Sequence, residues 1–345
     1  MEVDLTGKRR FSRKNIRMML LLAALVLLTA LLALGCSVIN KPKSGTQKVV
    51  VGAFQWSADQ AMILLAAEKG WFKDEGLDVE FVMSGGSAQE LILLANGTHT
   101  FGEGGLDTGI KAAAEGLPVK NVFVLYQQSP RAIIYSDKTL KEPKDVIGKT
   151  IAVIPTESEG PMLPLWLKAN GIDPGQVNIV NTNWDSQAPM LMSGQADGVA
   201  TWCASLPFML KDQGKPDGCL MWKDTGLPTL HNGIFTNSFT LKNQPEMVRK
   251  FLRVLRKGFD ATRDNPEAAV AAVPKYCPDC DIELEKRVFY KNIELWQTPR
   301  AKAANLPLGV PHPDDWEDTV KIFNELGIGE GIPATSYYDY SLIEK

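Results

Sequence analysis

Short apolar runs and stretches of helical spacing alternate along most of this chain. Residues 49–53 form a strand-type run, residues 61–69 carry the apolar spacing of a helix stopped by Gly70, and residues 77–83 alternate as a second strand. Ser84-Gly85-Gly86-Ser87 then leads into a helix over 88–96, with Ser87 and Glu90 at capping-box spacing. Residues 97–106 read as a strand with a glycine-rich exit, 107–115 as a helix and 119–126 as a further strand. The stretch 148–162, GKTIAVIPTESEGPM, repeats the plan: a β-branched run broken at Pro155, a polar loop, and an apolar helix opened by Pro161. Strands at 177–180 and 199–202 enclose a helix over 186–193. Alternation at these lengths specifies an α/β fold, with mostly parallel sheets and helices on both faces. Loops that join a strand end to a helix start expose backbone amides where open α/β sheets hold ligands.

The plan occurs twice. A helix, the turn 97–100 (GTHT) and a strand recur as a helix, the turn 194–197 (GQAD) and a strand, which is what two α/β lobes of similar build produce. From Pro245 onward the pattern is helical only. Residues 245–262 place Met247, Phe251, Leu255 and Phe259 at four-residue spacing, and further helices are expected from Asn265-Pro266, over 281–296 and over 314–326. One apolar stripe each means that these helices pack on something already built.

Composition changes this picture mainly at the N-terminus. The chain has 345 residues, 45% of them hydrophobic, enough for one large core or two moderate ones. Its 37 Lys+Arg against 40 Asp+Glu argue against a nucleic-acid surface. Lys8, Arg9, Arg10, Arg13, Lys14 and Arg17 precede an uncharged apolar run over 18–34 and then Ala33-Leu34-Gly35-Cys36. This end resembles the bacterial lipobox, with Ala33 where that pattern prefers leucine. The expectation is a signal peptide over 1–35, lipidation at Cys36 and a flexible linker over 36–48; the alternative is an uncleaved anchor helix. Both deliver the bulk of the chain outside the cytoplasmic membrane and tether it there on the periplasmic or extracellular face, the first of them lipid-anchored.

In an exported chain the isolated CxxC of Cys277 and Cys280 reads as a local disulfide before a metal half-site or redox pair. Cys203 and Cys219 are left either as a second pair or as buried thiols. His99, His231 and His312 are scattered without metal-ligand spacing, and no nucleophile elbow, P-loop or dinucleotide fingerprint occurs. The expectation is therefore no metal, no cofactor and no catalysis.

Several blocks in order carry a family resemblance: Ala66-Ala67-Glu68-Lys69-Gly70-Trp71-Phe72 with Gly76-Leu77-Asp78-Val79-Glu80, Asp145-Val146-Ile147-Gly148-Lys149-Thr150-Ile151-Ala152-Val153, Gly194-Gln195-Ala196-Asp197-Gly198, and the closing 333–342. From about Val49 to the C-terminus the chain resembles the SsuA/THI5-like (NMT1-type) substrate-binding lipoproteins of ABC transporters, which have the type 2 periplasmic binding protein fold. It departs at Thr100, where the family usually has aspartate after Gly-x-x; the departure bears on that lobe's usual turn. The resemblance implies two lobes, 49–131 with 236–345 and 132–235, joined by crossing strands near 128–134 and 232–237, with a small solute closed between them by hinge motion. It also implies a monomer serving a membrane permease with a cytoplasmic ATPase. The family includes a cytosolic pyrimidine synthase, against which the export leader argues; a tethered sensor would share all these features.

In such a fold the ligand touches strand ends and helix starts. The candidates are Gln55 and Trp56 after the first strand, with Trp56 as a stacking wall; Gly85, Gly86 and Ser87 as amide donors; Glu103 and Gly104; Thr156, Glu157, Ser158 and Glu159; and Trp184 and Trp202. These loops carry Glu103, Glu157, Glu159 and Asp185 but no lysine, with Arg131 the nearby guanidinium. Carboxylates beside tryptophans suit an aminated heteroaromatic such as a thiamine-precursor pyrimidine. The alternative is an anion of the sulfonate, taurine or nitrate type, held at helix N-termini.

Overall fold

A computed structural model describes residues 2–3, 9–10, 46–54, 56–136, 140–215 and 217–344. Met1–Gly45 forms a unit distinct from Thr46–Lys345. Of it only a two-residue antiparallel pairing, Glu2–Val3 with Arg9–Arg10, is described. The expected apolar signal run, Cys36 and Gln55 lie outside the described residues, as does most of the linker. Among the described residues no helix is long and apolar enough to cross a membrane.

Ten strands follow in Thr46–Lys345: β1 Gln47–Ala53, β2 Leu77–Met83, β3 Phe101–Gly105, β4 Val119–Val124, β5 Arg131–Tyr135, β6 Thr150–Val153, β7 Asn178–Asn181, β8 Gly198–Trp202, β9 Gly218–Met221 and β10 Asn232–Asn237. The first sheet has the order β2-β1-β3-β10-β4 and the second β9-β5-β8-β6-β7. Both are mixed rather than mostly parallel. β1 runs parallel to β2 and β3, and β6 parallel to β7 and β8, whereas β10 and β5 run antiparallel to both of their neighbours. Parallel neighbours need a crossover of a dozen or more residues, usually a helix. β5 and β10 are the strands that enter where the chain passes directly between the sheets. The two passages bond to each other, Leu125 N to the Asn232 carbonyl at 2.8 Å and His231 N to the Tyr126 carbonyl at 3.0 Å.

The helices that matter here are α1 Ala61–Glu68, α2 Ser87–Ala95, α3 Leu106–Ala114, α4 Glu159–Ala169, α5 Trp184–Ser193 and α6 Pro245–Asp264. The apolar stripe of α6 covers the first sheet, with Phe251 stacked on Phe101 at 3.8 Å and Phe259 against Phe123 at 5.1 Å. Gly258 lets α6 approach α1, because a Cβ there would lie 2.5 Å from the Met62 carbonyl oxygen. The second sheet is backed by Trp166 and Trp222, 6.0 Å apart and fully buried.

The repeated turn is the same structure built from different side chains. Gly97 and Gly194 both have positive φ, 78° and 76°, the conformation glycine adopts without steric cost. Thr100 N bonds the Val50 carbonyl and Asp197 N bonds the Thr150 carbonyl, both at 2.9 Å. In return Val50 N donates to Thr100 Oγ1 at 3.2 Å and Thr150 N to Asp197 Oδ2 at 2.8 Å. The threonine hydroxyl thus takes the carboxylate's place, and the turn survives the departure.

The capping box expected of Ser87 and Glu90 is not formed. The N-cap of α2 is Gly86, without a side-chain bond. Glu90 instead points inward, fully buried, with its carboxylate 2.9 Å from His99 Nδ1. It lies against Gly52 and Gly102, where any Cβ would collide with it. Cys277 is joined to Cys280 and Cys203 to Cys219, with Cα separations of 5.4 and 6.1 Å.

Candidate functional site

Polar side chains collect where the strand ends of the two sheets meet. Glu103 of β3 is buried, and its Oε2 accepts from Gln60 Nε2 at 2.8 Å and its Oε1 from Asn232 Nδ2 at 3.0 Å. Gln60 is held in turn because Ser57 N donates to its Oε1 at 3.0 Å. Next to Gln60, Asp59 Oδ1 accepts from the Tyr126 hydroxyl at 2.8 Å and from Asn292 Nδ2 at 3.0 Å. Among the described residues neither carboxylate has a cationic partner. Burial, the largest influence, pushes Glu103 up to about 7, and the charges of Asp59 and Glu90 add to the effect. Burial raises Asp59 as well, against the two bonds it accepts.

The neighbouring cluster is charge-paired. Arg131, the first residue of β5, donates from Nε to Glu159 Oε1 at 3.0 Å and from Nη2 to Asp107 Oδ2 at 3.1 Å. The Ser158 hydroxyl donates to the same oxygen of Asp107. Asp107 sits at the start of α3, directly after β3, while Ser158 and Glu159 open α4, after β6. One guanidinium therefore ties the helix starts of both sheets together. Burial opposes the charge of Asp107, but Arg131, the Ser158 hydroxyl and the Thr108 amide together hold its carboxyl below the ordinary range. Burial raises Glu159 and outweighs Arg131 there.

Trp202, at the end of β8, stands perpendicular to the His231 ring with centroids 4.4 Å apart. His231 is 2% exposed, and among the described residues neither of its ring nitrogens has a partner in hydrogen-bond geometry, although the Asn232 side chain lies close enough to act on the ring. Burial, then the charge of Arg131, keeps its imidazole well below its ordinary value and so neutral.

Of the expected site residues, Glu103, Ser158, Glu159 and Trp202 belong to this chain of contacts. Trp56 does not. It is 6% exposed, donates from Nε1 to the Val82 carbonyl at 3.2 Å and packs on Phe81 at 4.7 Å, inside the first core. Ser87 Oγ accepts from Gly105 N at 3.0 Å, so it ties the start of α2 to the end of β3, and Gly104 is buried beside it, where an added Cβ would lie 3.8 Å from the Ser87 Cβ. Gly85 and Thr156 are exposed, and Gly86 and Glu157 half-buried. Trp184 is 59% exposed at the start of α5, and the structure does not bring it to the cluster. Sequence reasoning missed Asp59, Gln60, Asp107, Asn232 and Asn292 and gave His231 no role. The one available signal was the crossing passages themselves, which put Arg131, His231 and Asn232 between the sheets. Among the described residues no three His, Cys, Asp or Glu side chains are grouped to hold a metal ion.

Residues 57–269 match the family described as NMT1/THI5 like. The chain belongs to the NMT1/THI5-like family. It is similar to the riboflavin-binding protein RibY of Chloroflexus aurantiacus, 26% identical over 273 residues, 76% of each chain. It is also similar to the formylaminopyrimidine-binding protein of Halalkalibacterium halodurans, 22% identical over 267 residues, 76% of this chain and 80% of that one. Further matches include the taurine-binding periplasmic protein of Escherichia coli and a 4-amino-5-hydroxymethyl-2-methylpyrimidine phosphate synthase of Legionella pneumophila. Among solved structures, the periplasmic aliphatic sulphonate binding protein SsuA of Escherichia coli superimposes with a TM-score of 0.66 at 13% identity, over 86% of this chain and 98% of that one. This NMT1/THI5-like chain therefore has the periplasmic binding protein fold expected of it.

Proposed function

We propose that this protein is the extracytoplasmic, ligand-capturing component of an ABC importer and that it acts by binding rather than catalysis. The lobes follow the two sheets, β1–β4 with β10 and the chain after it, and β5–β9, so the expected bounds at 131 and 235 move to the ends of the passages; a small solute is taken between the lobes, and the passages at 125–130 and 222–231 serve as the hinge. The observation that carries this reading is the concentration of buried, electrostatically perturbed groups where strand ends of both sheets meet, while both cores are apolar. Export, a lipid tether at Cys36, a monomeric state and a membrane permease as partner complete the proposal.

The favoured ligand is an aminated heteroaromatic of the thiamine-precursor type. Carboxylates outnumber guanidinium at the strand ends, and two relatives are named for binding a flavin and a formylaminopyrimidine. A sulfonate or taurine-type anion is the second reading, on the taurine-binding relative. Against it, Arg131 is already engaged by Asp107 and Glu159. The test is tryptophan fluorescence and melting temperature of the full chain in mild detergent, against aminopyrimidines, riboflavin, taurine, alkanesulfonates and nitrate. A true ligand at a hundredfold excess over its Kd stabilises by about 2.7 kcal/mol. No response to any of them, with no co-purified small molecule in native mass spectrometry, defeats the capture reading.

A further inference from the structure

We propose that His231 reads the ligand in this site, and that what it reads is an uncharged planar N-heterocycle laid against Trp202. The assignment rests on the capture reading above.

The starting point is an anomaly. Buried polar groups are almost always hydrogen-bonded, yet among the described residues neither ring nitrogen of His231 has a partner in hydrogen-bond geometry although the residue is 2% exposed, the Asn232 side chain being the least of the influences on it. Slack in the backbone does not explain this. His231 N donates to the Tyr126 carbonyl at 3.0 Å, and the His231 carbonyl accepts from Leu106 N at 2.8 Å. The main chain is thus fixed on both sides while the side chain is left unsatisfied, which destabilises the ligand-free fold.

The neighbours of the imidazole belong to different sheets. Trp202 ends β8 of the second sheet, and Leu106 and Asp107 follow β3 of the first. Hinge opening separates these covers and exposes the ring. The neutral imidazole then offers one N–H and one lone pair. The charged groups acting on it are Arg131 and Asp107. Arg131 acts on the ring ahead of Asp107 and is already bonded to Asp107 and Glu159, so it is not free to pair with an anionic ligand. A cationic ligand would be repelled by the guanidinium, the stronger charge at the ring, and an anionic one would face two carboxylates with that guanidinium already engaged, whereas an uncharged donor–acceptor ring meets neither penalty. Trp202 stands at 86° to the imidazole and supplies an aromatic wall on which a flat ring can stack.

The experiment uses the full chain in detergent with His231→Phe and His231→Asn, calorimetric titration with 4-amino-5-hydroxymethyl-2-methylpyrimidine or taurine at mildly alkaline pH, and melting of the ligand-free proteins. His231→Phe keeps a flat ring beside Trp202 and removes both unpartnered nitrogens. It is expected to raise the ligand-free Tm by about 2 °C or more and to weaken pyrimidine binding by roughly thirtyfold or more, the scale of one lost buried polar contact. His231→Asn restores a donor and an acceptor and is expected to stay within about tenfold of wild type. Unchanged pyrimidine affinity in His231→Phe, or a phenylalanine variant that does not fold, overturns the role of His231 and leaves the capture reading standing. Tighter wild-type binding of taurine than of the pyrimidine overturns the ligand class. Wild-type binding of neither overturns the capture reading and this assignment with it.

Discussion

The two sheets face the same task at their strand ends, placing acidic groups beneath cover, and they meet it with different chemistry. On the first sheet Glu103 and Asp59 are held by amides and a phenol, and the turn after α2 is closed by the Thr100 hydroxyl. On the second sheet Glu159 is held by Arg131, and the equivalent turn is closed by the Asp197 carboxylate. A buried acid with only neutral partners lowers its cost by keeping its proton, while one beside a fixed cation stays ionised when the pairing is good enough. Asp107 shows how good it must be. With Arg131 and the Ser158 hydroxyl on one oxygen it stays below the ordinary range, whereas Glu159, with Arg131 and its own backbone amide, is raised by burial and by the charges of Asp107 and Glu157.

The most severe break in this comparison is removal of the shared cation. Arg131→Met leaves Asp107 and Glu159 buried without a counter-charge, and loss of one partner from a buried pair costs about 3–5 kcal/mol. Urea denaturation should show that loss, and adding Asp107→Asn with Glu159→Gln should restore part of it. A loss below about 1 kcal/mol would mean that the carboxylates relax to solvent, and the paired description of the second sheet would fail.

The comparison is next sharpened by pH, because Glu103 and Asp107 titrate in opposite senses. Glu103 is raised from 4.5 to about 7, so the folded state holds its proton more tightly than the unfolded chain does. Its contribution is complete below the unfolded value of 4.5 and is lost as pH rises through about 7. That shift is worth roughly 3 kcal/mol at full extent. Glu103→Gln, accommodated by a half-turn of the Asn232 amide, should flatten the decline over this interval and exceed wild type at alkaline pH by up to that amount. Asp59 and Glu159, also raised, keep a residual slope. Asp107 behaves inversely: lowered in the fold, it stabilises above the ordinary aspartate value and loses this as pH falls. Asp107→Asn should reduce the acid-side slope and leave the neutral side alone. Identical pH profiles for the two variants would refute the contrast.

Much of the fold was legible because it is written in period. The apolar stripe of α6, the strand runs and the doubled glycine turn follow from spacing alone, since a helix or strand must present its apolar face to a core. The direction of β5 and β10 was not legible, because strand polarity depends on where the chain crosses between sheets and not on the composition of the strand. The site was half legible. Strand-end loops gave Glu103, Ser158, Glu159 and Trp202, but Trp56 turned inward because Val82 and Phe81 offer its indole a carbonyl and a ring. Gln60, Asp107, Asn232 and Asn292 carry no local signature, since each acquires its role from a partner between 24 and 233 residues away.

The smallest expected effect tests whether the two turns really are equivalent. Both need an acceptor for a strand amide, Val50 N in one and Thr150 N in the other, and neither geometry needs a charge. Thr100→Val removes the acceptor at nearly constant volume and should cost about 1 kcal/mol, the net value of one such bond. Asp197→Asn keeps an oxygen for Thr150 N and should cost less than about 0.5 kcal/mol at neutral pH, the range of a substitution that loses no specific interaction. If the order reverses, with the asparagine the more damaging, the charge of Asp197 is what closes the turn. Thr100 would then be a weaker substitute and not an equivalent, and the second sheet's reliance on charge would extend from its buried arginine to its ordinary turns.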